Sequence, residues 1–295
     1  MEIVSNPDLG QRTTLKMGGR AGLELKLTED RDFEEIPAWM KKEGLHPLVI
    51  GGGSNLLVQD GELPLLLLKD CRDRQLQVIE REEETVLIVA NTGCRLQFFL
   101  SWLQRKGLSG LEGLTGIPGC LGGAIAMNAG SYGRDMASAV TRVQIWSDRH
   151  GLFWLDEDQL SFAYRDFDSS HINATYWVIT KVELKLSFGD KKRILDKMKE
   201  NYRKKKQTQP VTAPTCGCVF KNPDSGTSAG YLLDRCGFKG YAHGRVAFSG
   251  LHANFLINLG RGSSEQALEL VRLAREKVYK DFNIDLQTEV RIIGA

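Results

Sequence analysis

Two glycine-rich runs carry the first chemical signal. Leu48 to Val58 reads LVIGGGSNLLV: an apolar run, then Gly51, Gly52 and Gly53, then Ser54, Asn55 and Leu56 opening a second apolar run. Glycines let successive backbone N–H groups turn inward and approach an anion without side-chain collision, and Ser54 and Asn55 add side-chain donors. That is chemistry for a phosphate. The spacing is neither G-x-G-x-x-G nor a P-loop with its G-K-[ST], and a plain turn would use the same glycines. The second run, Gly113 to Gly133, holds Gly116, Ile117, Pro118, Gly119, Gly122, Gly123, Asn128 and Gly130. Pro118 stiffens one of its turns. A long uncharged stretch of this kind suits backbone wrapping of a flat aromatic cofactor and its pyrophosphate; a buried loop between sheets is the plainer alternative.

The six cysteines are Cys71, Cys94, Cys120, Cys216, Cys218 and Cys236. They do not form a disulfide framework. Cys216-Gly217-Cys218 is one residue too tight for a C-x-x-C hairpin, no His stands at zinc spacing, and no metal site is expected. Most of the thiols read as small buried hydrophobes.

The elements that must position these residues follow from periodicity. Thr28 is expected to cap a helix through Phe33, Ile36 and Met40 that Gly44 ends. His46 to Ile50 reads as a short buried strand running into the first glycines. Thr85 to Ala90 reads as a strand, and Leu96, Phe99, Leu100 and Leu103 as a helix stopped by Gly107. Gly107 to Gly133 suits tight turns more than regular structure. Val140–Trp146 and Gly151–Leu155 are strand-like. Val178, Val182, Leu184 and Leu186 alternate with Lys181, Glu183 and Lys185, the pattern of a half-buried strand. Asp190 to Lys206 turns basic and reads as an exposed helix at a domain boundary, either a solvated face or one turned to an anionic ligand. Ser263 with Gln266 is a capping box opening a helix through Ala267, Leu270, Val271, Ala274 and Val278. Leu286, Thr288, Val290 and Ile292 read as one face of a final strand.

The chain has 295 residues, 42% hydrophobic and 26% charged. That is enough for a large core in two or three domains. A formal net charge of +2 offers no global field for nucleic acid or an anionic membrane. No apolar run approaches the roughly 18–20 residues of a membrane span, and the N-terminus lacks the pattern of an export signal. A cytoplasmic protein is expected.

GGGSNLLV, GIPGCLGGAIAMNAGSYG, FAYRDF (162–167), GCVFKNP (217–223), SAGYLLDRCGFKG (228–240), HANFLIN (252–258) and LQTEVRIIG occur in one order. Together they resemble the UDP-N-acetylenolpyruvoylglucosamine reductase (MurB) family in its compact form, over nearly the whole chain. The resemblance implies an α+β chain: an FAD-binding fold of the vanillyl-alcohol-oxidase (PCMH) type with a C-terminal α+β substrate-binding domain. The implied domains are 1–70 and 71–195 for FAD and 196–295 for substrate. It implies non-covalent FAD, NADPH as reductant, and reduction of a UDP-linked enolpyruvyl amino sugar to UDP-N-acetylmuramate in peptidoglycan precursor synthesis. No obligate protein partner, nucleic acid or membrane is implied.

Hydride addition to an enol-ether double bond places negative charge on the neighbouring carbon and carboxylate. Such a site needs donors aimed at that charge and one acid to deliver a proton. By the resemblance these are Arg165 in the FAYRDF motif, Cys218 as proton donor where Ser is usual, and Glu289. A thiol is intrinsically a better acid than an alcohol, so the exchange at 218 keeps the role. Cys216 would share a strand face with Cys218. Tyr164, Lys221, Asn222 and Arg203 are candidates for the substrate, with Lys221, Asn222, Arg203 and one of Lys204 to Lys206 for its diphosphate or sugar. Two departures stand out: Phe167 where Ser is usual, and Gly250-Leu251 where an acidic–basic pair is common. The rival readings are a flavin oxidase of the same fold, an inactive flavin- or nucleotide-binding module, and a phosphate-binding protein without flavin.

Overall fold

Leu96, Phe99, Leu100 and Leu103 recur at helical spacing, and the chain coils from Leu96 to Lys106 to bury all four. Gly107 ends the helix at φ +73°, where its N–H closes on the Gln104 and Leu103 carbonyls. This helix shares a core with a mainly antiparallel sheet ordered Gly151–Leu155, Val140–Ser147, Trp177–Phe188, Thr85–Asn91 and Leu76–Arg81. The computed structural model describes residues 1–224 and 226–294.

Two compact units emerge. The first comprises Met1–Ser5, Leu23–Gly52 and Pro64–Arg203; the second comprises Asn6–Gly22, Gly53–Leu63 and Lys204–Ala295. The chain therefore passes from one to the other inside the first glycine run, between Gly52 and Gly53.

In the first unit a smaller core gathers Leu25, Leu27, Phe33, Ile36, Leu66, Leu68, Trp146 and Val178. In the second, the antiparallel strands Thr215–Cys218, Phe255–Asn258, Val246–Phe248 and Ala242–His243 pack with the helices Ala229–Arg235 and Ser264–Phe282. The capping box is present: Ser263 Oγ accepts from Gln266 N–H at 3.2 Å, and Ala267, Leu270, Val271, Ala274 and Val278 are buried. Asn283 closes that helix at φ +55°. Leu56–Val58 and Arg291–Ile293 pair in parallel.

Several expectations need correction. The helix placed after Thr28 is a 3-10 turn, Asp30–Glu35, followed by an α-helix, Ile36–Glu43. Pro37 stands in the first turn of the α-helix, where its missing N–H costs nothing, and it cannot extend a ladder from upstream. Thr28 instead donates through N–H and hydroxyl to Asp32. Strand His46–Val49 is an edge strand with Leu48 buried and Val49 44% exposed, not a buried one. Within the glycine-rich stretch, Leu121–Ala126 forms a helix despite Gly122 and Gly123. There the N–H of Leu121 and of Gly122 donate to the carbonyls of Cys94 and Thr92, so the first turn is anchored from outside.

The strand Trp177–Phe188 does not keep one phase. Gln144 faces Lys181 but Ile145 faces Ile179, so Thr180 is an extra residue, a β-bulge. The bulge turns Ile179 into the core of Val182, Leu184 and Leu186, and Val178 into the other core. The basic helix spans Lys191–Thr208 and is exposed along most of its length, but Asn201 and Lys205 are buried. Asn201 donates to the Glu112 carbonyl at 2.9 Å. The final strand is short: Leu286 and Val290 are buried, whereas Thr288 is exposed and makes an isolated bridge to Phe220.

Candidate active site

The glycine runs are first of all places where backbone meets backbone. In the first unit, a Cβ on Gly52 would stand 2.7 Å from the Gly119 Cα, and one on Gly51 would stand 3.2 Å from the Cys120 Cβ. The two runs therefore touch through glycine. In the second unit, Gly53 at φ +60° lies so close to Arg12 that a Cβ would meet its carbonyl oxygen at 2.1 Å. Among the described residues, no acceptor takes the N–H of Gly51, Gly52 or Gly53. Gly123 has open space where a side chain would stand. Within the first unit, the consecutive unclaimed donors of Gly51 and Gly52 are groups that could hold an anion.

Gln97 holds the second run in place, a role that periodicity did not announce. Its Nε2 donates to the Ile117 carbonyl at 2.7 Å, its Oε1 accepts from Gly116 N–H at 3.0 Å, and the neighbouring Leu96 N–H donates to Gly119 at 3.0 Å. On a helix face Gln97 reads as an ordinary polar residue; only the fold puts the turn Gly116-Ile117-Pro118-Gly119 above it.

Arg165 sits at φ +58° in the two-residue turn of a hairpin that pairs Phe162 with Phe167 and Ala163 with Asp166. Its guanidinium lies 4.9 Å from the centre of the Tyr164 ring, and one Nη donates to the Gly130 carbonyl at 3.0 Å. Phe167, in the place where Ser is usual, is a core residue: it is buried, with ring centres 5.1 Å from Phe162 and 6.0 Å from Trp177. Asn128, expected at the cofactor, donates from Nδ2 to the Ala163 carbonyl at 3.0 Å and accepts at Oδ1 from Ala137 N–H at 3.0 Å. An open pocket is lined by Asn128, Asp135, Ala137 and the residues Phe162 to Arg165.

In the second unit, Cys216 and Cys218 do not share a face. Thr215 faces Ile257 and Cys218 faces Phe255, a register shift accommodated by Gly217 at φ +81°. Cys216 turns into the core, and burial pushes its thiol up to about 12. Cys218 is only half-buried. Glu289 arrives beside it: the N–H of Glu289 donates to the Val219 carbonyl at 2.7 Å, and Asn55 Nδ2 donates to the Glu289 carbonyl at 3.0 Å. Lys221 N–H donates to Gln287 at 2.9 Å in the same ladder. Asn222 Oδ1 accepts from Ala229 N–H at 3.0 Å, tying it to the start of the helix Ala229–Arg235. Arg203 lies exposed on the basic helix. Ser54 and Leu56 flank Asn55, and Leu56 is buried against its partner Arg291.

Asn254 stands in the HANFLIN motif, where the sequence assigned it no definite role. It is 2% exposed, with Oδ1 accepting from Phe220 N–H at 2.9 Å and Nδ2 donating to the Phe220 carbonyl at 2.8 Å, which fixes the backbone two residues after Cys218. Its neighbour His252 accepts from Asn254 N–H at 3.2 Å, and burial, with nearby Lys239, holds the imidazole below its usual range. Burial pushes Cys94 up to about 11 and raises Cys120. Among the described residues no group of three His, Cys, Asp or Glu is placed to hold a metal, and no helix is long and apolar enough to cross a membrane.

Known proteins share both halves. Residues 24–152 match the FAD binding domain family, and residues 209–293 match the C-terminal domain of UDP-N-acetylenolpyruvoylglucosamine reductase. The chain is 40% identical over 294 residues to the reductase of that name from Nitratidesulfovibrio vulgaris, covering 100% of this chain and 99% of the other. It is 43% identical over 292 residues to the one from Oleidesulfovibrio alaskensis, covering 98% and 97%. The crystal structure of the Thermus caldophilus reductase superposes with a TM-score of 0.80 at 33% identity, covering 99% and 98%. With that likeness running end to end and an α+β fold in common, the chain belongs to the UDP-N-acetylenolpyruvoylglucosamine reductase (MurB) family.

Proposed function

We propose that this protein is an NADPH-dependent flavoenzyme that reduces the enolpyruvyl group of a UDP-linked amino sugar to UDP-N-acetylmuramate, and that Cys218 supplies the proton. The observation that supports the site is the ladder joining Asn55, Glu289 and Val219, which brings the exit of the first glycine run, the backbone that carries Glu289 and the thiol segment together in one unit. FAD held there would supply hydride chemistry, with NADPH as the reductant. The N–H groups of Gly51, Gly52 and Gly53, the side chains of Ser54 and Asn55, and the turns Gly116–Gly119 and Gly122–Gly123 with Gly130 are the proposed cradle for it.

Arg165 clamps the substrate carboxylate, where a planar guanidinium makes two parallel bonds and meets charge that grows as the double bond is attacked. Cys218 protonates the carbon next to the one that takes hydride. Glu289 donates a hydrogen bond to the developing enolate from its protonated form. Tyr164, Lys221, Asn222 and Arg203 bind the rest of the substrate. Domains 1–70 and 71–195 for FAD, 196–295 for substrate, a cytoplasmic site of action, and service to cell shape and division through peptidoglycan synthesis belong to the same proposal.

The test is anaerobic. NADPH should bleach the visible flavin band, and the UDP-linked enolpyruvyl sugar should restore it with stoichiometric formation of the lactyl ether. Bleaching without restoration by the sugar overturns the substrate assignment.

A further inference from the structure

Arg165 is held in a position that its own segment cannot maintain. The hairpin has two residues in each strand, and a two-stranded ribbon of that length is not stable in isolation. Its turn places a non-glycine residue at φ +58°, a conformation that side chains other than Asn or Asp adopt uncommonly. Something outside the hairpin must fix it.

Asn128 does so from the inner side. It is 5% exposed and sits at φ +36°, in the left-handed region that Asn tolerates better than other branched side chains. Its amide is oriented by its partners: the oxygen faces the N–H of Ala137 and the nitrogen faces the carbonyl of Ala163, each at 3.0 Å. Ala163 immediately precedes the turn. The second restraint, from Arg165 to the Gly130 carbonyl at 3.0 Å, ends on a residue two positions from Asn128. Gly130 itself is pinned, since a Cβ there would stand 2.9 Å from the Asp135 Cβ and 3.3 Å from an Arg165 Nη. Asn128 therefore connects the loop that receives the guanidinium to the strand that carries it.

We propose that Asn128 is a positioning residue for Arg165, and not primarily a cofactor contact. This rests on the reading of Arg165 as the carboxylate clamp. Only a side chain with a donor and an acceptor at the same distance from Cβ satisfies both Ala163 and Ala137. Asp keeps the shape and the tolerance for positive φ but turns an oxygen toward the Ala163 carbonyl. Leu removes both bonds. Displacing a charged group by about 1 Å in a reacting complex costs on the order of 100-fold in rate.

The experiment uses holoenzyme carrying Asn128→Asp, Asn128→Leu, Arg165→Lys, or Asn128→Asp with Arg165→Lys. Three quantities are read: the FAD Kd of the apoprotein, the rate of bleaching by NADPH, and the rate at which the UDP-linked enolpyruvyl sugar restores the flavin band. Expected is a loss of about 10- to 100-fold in the third for Asn128→Asp. The first two stay within about threefold, because bond loss at Ala163 does not reach the nucleotide. The double variant should be no slower than Arg165→Lys alone, as coupled positions are non-additive. FAD Kd weakened about tenfold or more with restoration unchanged makes Asn128 a cofactor contact and overturns the proposal. Fully additive effects overturn it too. Asn128→Asp guards against Leu failing to fold at φ +36°. Normal restoration by Arg165→Lys sinks the clamp reading itself, whereas slow Arg165→Lys beside normal Asn128→Asp sinks only the positioning role.

Discussion

The side-chain amide of Asn55 donates to the backbone carbonyl of Glu289 at 3.0 Å, across 234 positions of sequence. The Arg291 N–H returns a bond to the Asn55 carbonyl at 3.0 Å, and the two segments continue as a parallel pair. The segment that leaves the first glycine run and the backbone that carries Glu289 are thus set by one ladder.

Removing that tether should be felt as chemistry more than as stability. Asn55→Ala loses one hydrogen bond to a backbone carbonyl, about 1 kcal/mol in denaturant unfolding. With the variant fully loaded with FAD, so that loss of the proposed cradle contact does not count, reoxidation by the UDP-linked enolpyruvyl sugar is expected to slow by about tenfold or more, since a small displacement of Glu289 affects an oriented group. Unchanged reoxidation in a destabilised variant would show that the ladder is only structural.

Gly123 faces open space, whereas Gly52 faces backbone. Gly123→Ala meets nothing within 4 Å in the protein, so the apoprotein should unfold no more easily than the parent; a helical Ala gains about 1 kcal/mol over Gly. The methyl group would instead enter the space proposed for FAD, with overpacking of about 1–3 kcal/mol, or about 5- to 150-fold in Kd. Gly52→Ala drives a methyl to 2.7 Å from the Gly119 Cα and should both destabilise the apoprotein and leave it pale. Flavin content after purification and apoprotein melting check both. A Gly123→Ala protein that retains FAD at parental affinity puts the cofactor elsewhere.

Cys218→Ala should keep bleaching by NADPH and lose turnover of the sugar by about 10²–10⁴-fold, the usual worth of a positioned general acid. Cys218→Ser should restore turnover, because a hydroxyl can deliver the same proton. Cys216→Ser is expected to act on stability alone, as that thiol lies in the core with its ionisation pushed up to about 12. Loss of the NADPH step in Cys218→Ala counts against a pure proton-donor role.

His252 predicts an acid limb in stability. Burial, then Lys239, holds the folded imidazole below its usual pKa, so the unfolded chain takes up the proton first. Stability from this group is full above about pH 6.5 and falls as pH drops from there toward the lower folded value. His252→Gln should flatten the slope of unfolding free energy below about pH 6.5 relative to the parent. An unchanged slope assigns the acid limb to other groups.

The sequence by itself determined what local geometry determines. The stop at Gly107, the capping box at Ser263 and Gln266, and the alternation in Val182, Leu184 and Leu186 all survive folding, because backbone periodicity and caps involve residues a few positions apart. The glycine runs read as turns or as a cradle for an anion, and only the fold shows that Gly52 and Gly119 meet backbone to backbone. Phase and partnership could not be read in this way. One extra residue at Thr180 sends Val178 to a different core, and the shift around Gly217 separates Cys216 from Cys218, which flat alternation puts together. Gln97 looked like an ordinary polar residue, Asn254 like a motif letter and Asn128 like a cofactor contact, and the bonds their amides make are visible only because distant carbonyls and N–H groups arrive at both ends. A bulge or a two-ended amide bond is set by its partner strand or loop, and the identity of that partner is a property of the folded chain.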